Sequence, residues 1–276
     1  MSKVIFNHKI INKKDCKISL ENRAFLYGDG LFESVKIING KAFNLEAHLN
    51  RLFAGALLMN LKIVASKNDF RNDIERLLIK NKVTKGGSLK ILLFRDEGGK
   101  YLPENNQTSC LIISKFSDKI LFTLNKKGVE LGFYKTQLKP INKLSNYKTM
   151  SALQSVMCSL DANQKGKDDC LMFNTENHII ESANSNIFYV KNNNIYTPKL
   201  SDGPVDGTMR NCILNLKDLD YKIVENEVKI GDILKADEVF LTNALQGVKW
   251  VSQIEAQQFD SQKVSQLLVE KINQLV

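Results

Sequence analysis

Leu31 to Ile38 is a β-rich, mainly apolar run, interrupted by Asn39-Gly40 and resumed from Lys41 to Leu45. An Asn-Gly pair accepts positive φ at both turn positions, so the pattern predicts a β-hairpin. From Leu45 onward the apolar positions fall at Leu45, Leu49, Leu52, Phe53, Ala56 and Leu57, the spacing of one helix face. A second helix is predicted over Asp69 to Lys80. Leu89 to Phe94 and Cys110 to Phe116 read as buried strands separated by a polar loop containing Gly and Pro.

Ser117 to Lys127 is polar and patternless, and beyond it the order of elements restarts. Val129 to Lys135 is predicted as a strand and Ser151 to Gln164 as a helix with Leu153, Val156, Met157 and Leu160 along one side. Two strand pairs follow, Cys170 to Asn174 with Ile179 to Ser182, and Asn186 to Lys191 with Ile195 to Pro198. Gly207 to Leu216 opens as a helix, and Ser261 is placed to cap a terminal helix running to Val276. Strands and helices mixed in both halves predict an α/β (mixed α+β) protein of two domains, 1–116 and 128–276, joined by a linker at 117–127.

Composition narrows the function. The 276 residues are 43% hydrophobic, enough for a sizeable core. No apolar run reaches the roughly 18 residues of a membrane span, and Met1 to Ile10 lacks the apolar core of a signal peptide, so a cytoplasmic protein with no membrane partner is expected. Five scattered cysteines without a CxxC pair argue against a disulfide framework or zinc site, and three histidines argue against a multi-histidine metal centre. No metal is expected.

The net charge of +9 comes from lysines scattered among acids, with no aromatic-interleaved basic stripe, so a small anionic substrate fits better than nucleic acid. Basic positions are filled by 33 lysines and only six arginines. Such sparing use of arginine marks places where a rigid fork suits a carboxylate or phosphate. Arg23, Arg51, Arg95 and Arg210 lie near turns or segment ends, where sites are commonly built.

Four features carry candidate chemistry. Lys148, in Asn146-Tyr147-Lys148-Thr149-Met150, lies between a loop and a helix, where apolar neighbours would favour a nucleophilic free amine. Glu181 follows two isoleucines at the end of a buried strand, and an acid placed there needs a positive partner. Asp206-Gly207-Thr208-Met209-Arg210 is a glycine turn entering a helix, whose first N–H groups favour phosphate. Arg51 lies on the first helix, away from its apolar stripe.

Ala24 to Glu33, His48 to Leu52, Lys148, Glu181 to Phe188, Thr197-Pro198 and Ala236 to Phe240 occur in order across nearly the whole chain. Together they resemble the class IV, fold-type IV pyridoxal-phosphate enzymes: branched-chain aminotransferases, D-amino-acid aminotransferases and 4-amino-4-deoxychorismate lyases. The resemblance implies pyridoxal 5'-phosphate as cofactor, held on Lys148 as a Schiff base, with Glu181 at the ring nitrogen. It implies phosphate contacts from Arg51, the backbone of Thr208 and Met209, and Asn243-Ala244. Asn184 and Val205 would lie near the two ring faces, and Tyr27 and Arg95 would look into the substrate pocket. It also implies a homodimer.

Three places resemble the lyase rather than the aminotransferases. Leu153 stands where branched-chain aminotransferases have tyrosine, methionine precedes arginine in Gly207-Thr208-Met209-Arg210, and Thr242-Asn243-Ala244-Leu245 replaces a Gly-Thr-Ala form. The implied reaction is release of pyruvate and p-aminobenzoate from aminodeoxychorismate through an external aldimine formed when the substrate amine takes the place of Lys148. A branched-chain or D-amino-acid transaminase is the alternative, and a noncatalytic basic binding protein is the reading from a different class.

Overall fold

In the computed structural model, which describes residues 2–276, Asn39 and Gly40 have φ of 49° and 72° and turn one strand back on the next, as their sequence requires. The chain divides into two compact units, Met1–Leu121 with Tyr147–Ala152, and Phe122–Asn146 with Leu153–Val276.

The first unit contains β1 (Lys3–Phe6), β2 (Lys9–Asn12), α1 (Arg23–Tyr27), β3 (Gly30–Ile38), β4 (Lys41–Ala42), α2 (Leu45–Leu58), α3 (Lys67–Lys80), β5 (Gly86–Arg95) and β6 (Thr108–Ser117). The strands pair antiparallel in the order β2-β1-β6-β5-β3-β4. Alternation along β3 turns Leu31, Val35 and Ile37 into one core with Leu49, Leu52 and Ala56 of α2 and Phe70, Ile74 and Leu77 of α3. Helix α3 starts two residues before the predicted Asp69. Ser66 is its cap: the Asp69 N–H donates to Ser66 Oγ at 3.2 Å, and the Ser66 N–H donates to Asp69 Oδ2 at 2.8 Å.

Residues 147–152 fall in this first unit, although the sequence division put them with the second half. Backbone pairing with β3 explains the difference. The Phe32 N–H donates to the Lys148 carbonyl and the Met150 N–H to the Gly30 carbonyl, both at 2.9 Å, and Thr149 bridges Leu31. The 117–127 segment is likewise divided, because β6 continues to Ser117 and the second unit starts at Phe122.

The second unit contains β7 (Val129–Lys139), α4 (Leu153–Gln164), β8 (Asp169–Asn174), β9 (Ile179–Ser182), β10 (Asn186–Lys191), β11 (Asn194–Pro198), α5 (Thr208–Leu214), β12 (Lys222–Asn226), α6 (Ile230–Leu234), β13 (Glu238–Asn243), β14 (Gly247–Ile254), β15 (Gln257–Gln258) and α7 (Lys263–Asn273). The sheet runs β12-β11-β10-β13-β14-β7-β8-β9, with β15 on β14. A pair between Asn186 and Glu181 joins β9 back to β10 and closes a ring of strands. Leu131, Phe173, Ile187, Leu241 and Val251 fill its core.

Two expectations about helices are corrected. The predicted inward stripe of α4 is exposed, from 40% at Met157 to 69% at Leu153, with Val156 and Leu160 between them. The small side chains Cys158 and Ala162 face the core instead and let the helix lie close to β8. The cap of α7 is also not Ser261 alone. Glu238, buried on β13, accepts the Val264 N–H at 3.0 Å and the Ser265 N–H at 2.7 Å, and the Ser261 hydroxyl donates to the same carboxylate at 2.9 Å. A carboxylate meets the positive end of the helix.

Candidate active site

In the first unit, Glu33 shares its strand face with Leu31 and Val35, so alternation drives a carboxylate into the core. His48 and Arg51, one turn apart on α2, meet it there. Arg51 donates from Nε at 2.8 Å and from Nη2 at 2.6 Å to the two carboxylate oxygens, and His48 Nδ1 lies 2.6 Å from Oε2. Burial pushes the Glu33 carboxyl up, but the Arg51 charge and the His48 and Arg51 hydrogen bonds outweigh it and hold it at about 2. Burial lowers His48, which is opposed by Glu33 and reinforced by the positive charges of Arg51 and Lys148. His48 is therefore best described as a neutral ring donating Nδ1–H. Arg51 is not a surface residue: its side chain is 8% exposed and its plane is fixed by Glu33.

Lys148 is half-buried beside β3, with Nζ 4.4 Å from the centre of the Phe32 ring. Phe32 points to the opposite face from Glu33, as alternation demands, and Lys90 Nζ lies 5.0 Å from the same ring. The segment around Lys148 is positioned by its backbone bonds to β3 rather than by a helix.

Arg95 is held by the fold on several sides. Its guanidinium donates to Asp29 Oδ2 at 2.9 Å, to the Met59 carbonyl at 2.9 Å, to the Asn60 carbonyl at 3.5 Å and to Asn106 Oδ1. Four of five N–H groups are thus spent on the fold, and Arg95 ties the end of β5 to the α2 C-terminus instead of presenting an open fork to substrate. Asp29 also accepts from Arg23 Nε at 2.9 Å. Tyr27 is exposed, lying under the Arg23 guanidinium and against Tyr101.

In the second unit, hydrogen bonds join Glu181 to Val205 and Asn243 to Asn184. Glu181, 7% exposed at the closure between β9 and β10, accepts Lys139 Nζ at 2.5 Å on one oxygen and the Val205 N–H at 2.8 Å on the other. Lys139 also donates to the Ser145 carbonyl at 3.1 Å. Asn186 Nδ2 donates to the Val205 carbonyl at 2.8 Å, and a Cβ on Gly207 would come within 1.9 Å of Asn186 Oδ1. Gly207 is therefore required where the turn into α5 crosses β10. Thr208 and Met209 are the buried first residues of that helix.

Asn243 ends β13 with Ala244 following, and its amide donates to Ser185 Oγ at 3.0 Å and to Asn184 Oδ1 at 3.3 Å. Arg210, fully buried, donates to the Pro198 carbonyl at 3.0 Å and to Glu225, which makes it part of the fold.

Glu33, His48 and Lys139 contribute to these networks but were not singled out from sequence. Glu33 had one usable signal, a carboxylate in a run of inward-facing positions. Lys139 had none among 33 lysines.

Glu181 passes the test for a cationic heterocycle. A carboxylate offers about four lone-pair sites, and Glu181 uses two, so acceptor capacity remains for a ring N–H. Lys148 supplies an amine and α5 a first turn of backbone N–H groups.

A model of the family described as amino-transferase class IV matches residues 30–254. The chain is similar to the aminodeoxychorismate lyase of Vibrio harveyi, 30% identical over 242 residues, covering 87% of this chain and 88% of the relative. It is similar to the D-alanine aminotransferase of Bacillus licheniformis, 26% identical over 265 residues, covering 94% and 90%. The fold matches that of the branched-chain amino acid aminotransferase of Escherichia coli with a TM-score of 0.88 at 20% identity, covering 99% of this chain and 92% of that one.

Proposed function

Because the chain belongs to the class IV aminotransferase family, whose members use pyridoxal 5'-phosphate, we propose that it is an aminodeoxychorismate lyase releasing p-aminobenzoate and pyruvate. The observation that carries this reading is the 30% identity to a lyase over 87% of the chain. Met209 before Arg210 and Asn243-Ala244-Leu245 support it at the residue level.

When bound, the cofactor supplies an aldehyde that condenses with amines and a ring that takes up electrons from the adjacent carbon. Lys148 would hold it and, once the substrate amine has taken its place, would move the proton at the amine-bearing carbon. Glu181 would face the ring nitrogen, and Lys139 fixes the position of that carboxylate by its 2.5 Å contact. Arg51, oriented by Glu33, the backbone of Thr208 and Met209, and Asn243-Ala244 would be the phosphate contacts. Asn184 and Val205 flank the ring, and Tyr27 contacts substrate. Arg95 acts as a positioning residue, since its donors are spent on the fold. Loss of the proton from the substrate's amine-bearing ring carbon, cleavage of the neighbouring carbon–oxygen bond and protonation of the departing enolpyruvate to pyruvate would leave the aromatic p-aminobenzoate.

A transaminase is the second reading, favoured by the 26% identity to a D-alanine aminotransferase. Purified protein supplied with aminodeoxychorismate alone is expected to form p-aminobenzoate and pyruvate in equal amounts. Turnover only when an amino acid and a keto acid are paired overturns the lyase in favour of the transaminase.

We further propose a homodimer, supported by the exposed Leu153, Val156, Met157 and Leu160 of α4. Light scattering of the purified protein is expected to give twice the 31.3 kDa chain mass, and the chain mass alone overturns it. No helix among the described residues is long and apolar enough to cross a membrane.

A further inference from the structure

We propose that Glu176, His178 and Asp202 form a site for one divalent metal ion of the zinc class, outside the residues assigned to cofactor and substrate. Glu176 and His178 lie on the turn between β8 and β9, and Asp202 ends the short 3-10 helix Leu200–Asp202. One fully buried side chain fixes both parts. Asn174 Oδ1 accepts the Glu176 N–H at 3.0 Å and the His178 N–H at 2.9 Å, while its Nδ2 donates to the Asp202 carbonyl at 2.9 Å.

The donor atoms converge. His178 Nδ1 is 3.8 Å from Glu176 Oε2 and 3.7 Å from Asp202 Oδ2, and one donor atom from each residue lies within 4.8 Å of the other two. Metal bonds of about 2.1 Å to nitrogen and oxygen span the two separations from His178 at an angle of roughly 125°, wider than tetrahedral, so the side chains would draw in slightly around the ion. His178 Nδ1 and Asp202 Oδ2 are both buried, and neither has a hydrogen-bond partner. The Asp202 side chain is 3% exposed and aims that oxygen at the imidazole. Two buried polar atoms facing each other beyond hydrogen-bond range are what a metal between them would satisfy.

The surroundings complete the site. Beyond the imidazole, Glu227 Oε2 lies 3.7 Å from His178 Nε2, outside hydrogen-bond range but within reach of a small ring rotation that would make it the outer carboxylate of a ligating histidine. Lys199 Nζ is 2.8 Å from Glu227 Oε1 and 3.7 Å from Asp202 Oδ1, so the ammonium engages the oxygens that do not face the ion. Three carboxylates and one ammonium leave a charge that a divalent cation balances. The Glu176 side chain is 63% exposed and provides both a route of entry and a ligand free to adjust. The ion would pin the β8–β9 turn to residues 200–202, with His178 directly before the strand that carries Glu181.

The full-length holoenzyme, stripped with a chelator, reloaded with zinc and dialysed, tests the proposal by elemental analysis and thermal melting. One zinc per chain and a rise in melting temperature are expected for the native protein. Both should be absent from Asp202→Asn and His178→Gln, and affinity should fall about tenfold or more in Glu176→Gln. If the buried substitutions prevent folding, the exposed Glu176→Gln makes the same comparison. A native protein that retains no zinc overturns the proposal, as do equal zinc content, affinity and melting shift in native protein, His178→Gln and Glu176→Gln. None of these readouts depends on the reaction assigned above.

Discussion

Glu33 and Glu181 are both buried acids on strands of the chain's two units, yet their surroundings differ in kind. Glu33 lies against an arginine fork and an imidazole, and its carboxyl is held at about 2. Glu181 meets one lysine and one backbone N–H and keeps lone pairs for a further donor. The first arrangement serves to anchor α2 on β3. The second holds a carboxylate in place while leaving it able to bind something else, which is what a cofactor nitrogen requires. Burial of a charged residue alone therefore does not mark a functional site; unused bonding capacity distinguishes the two.

The largest expected contrast comes from removing each acid. Glu33→Ala leaves the Arg51 charge without its buried partner and should lower unfolding free energy by about 3–5 kcal/mol, read by urea denaturation. Glu181→Gln should cost less than about 2 kcal/mol in the same experiment but lower turnover by about 10²-fold or more. Equal losses of stability in the two variants would break the comparison.

Acid should separate the two acids' surroundings next. With the folded Glu33 carboxyl at about 2 against an ordinary 4.5, its contribution is complete above that ordinary value and is lost as pH falls towards 2. The shift corresponds to about 3 kcal/mol. The lowered His48 acts in the same sense, its contribution declining below its ordinary 6.5. Asp169 in the second unit, raised by burial, acts oppositely, because protonation relieves its penalty. Hydrogen exchange at pH 7, 5 and 3 should show the α2–β3 contact loosening first.

The turn beside Glu181 offers a smaller test. Gly207→Ala places a Cβ against Asn186 Oδ1 and should cost about 1–3 kcal/mol by overpacking, with weaker cofactor binding. An unaltered melting temperature would show that the turn can shift. Smallest is Lys139→Gln, whose amide can still donate to the buried Glu181, expected to change stability by about 1 kcal/mol while shifting the pH dependence of the bound cofactor's visible spectrum. A spectrum that titrates as in the native protein would remove Lys139 from the site.

Legibility from sequence followed periodicity and motif order. Asn39-Gly40 fixed a hairpin because few residues accept that backbone, and the α2 stripe Leu49, Leu52 and Ala56 was read from spacing and found in the core. Glu181 was marked by its place at a strand end and by family resemblance, Val205, Asn184 and Asn243 by resemblance alone, and hydrogen bonds pair Glu181 with Val205 and Asn184 with Asn243. What sequence did not reveal depends on partners distant along the chain. Lys139 is distinguished only by the acid it meets 42 positions later. Arg95 is spent on carbonyls that no local pattern announces. Glu238 caps a helix 26 residues away. The α4 stripe was misread because small side chains, not large ones, set how closely a helix can approach a sheet.

The central claim is that one amine among 33 lysines carries the cofactor. Borohydride reduction of the cofactor-loaded protein, followed by peptide mapping, tests it directly. The account predicts a single pyridoxyl-modified peptide containing Lys148, and loss of that label in Lys148→Ala. A label on another lysine, or a protein that stays unlabelled after incubation with pyridoxal 5'-phosphate, contradicts it.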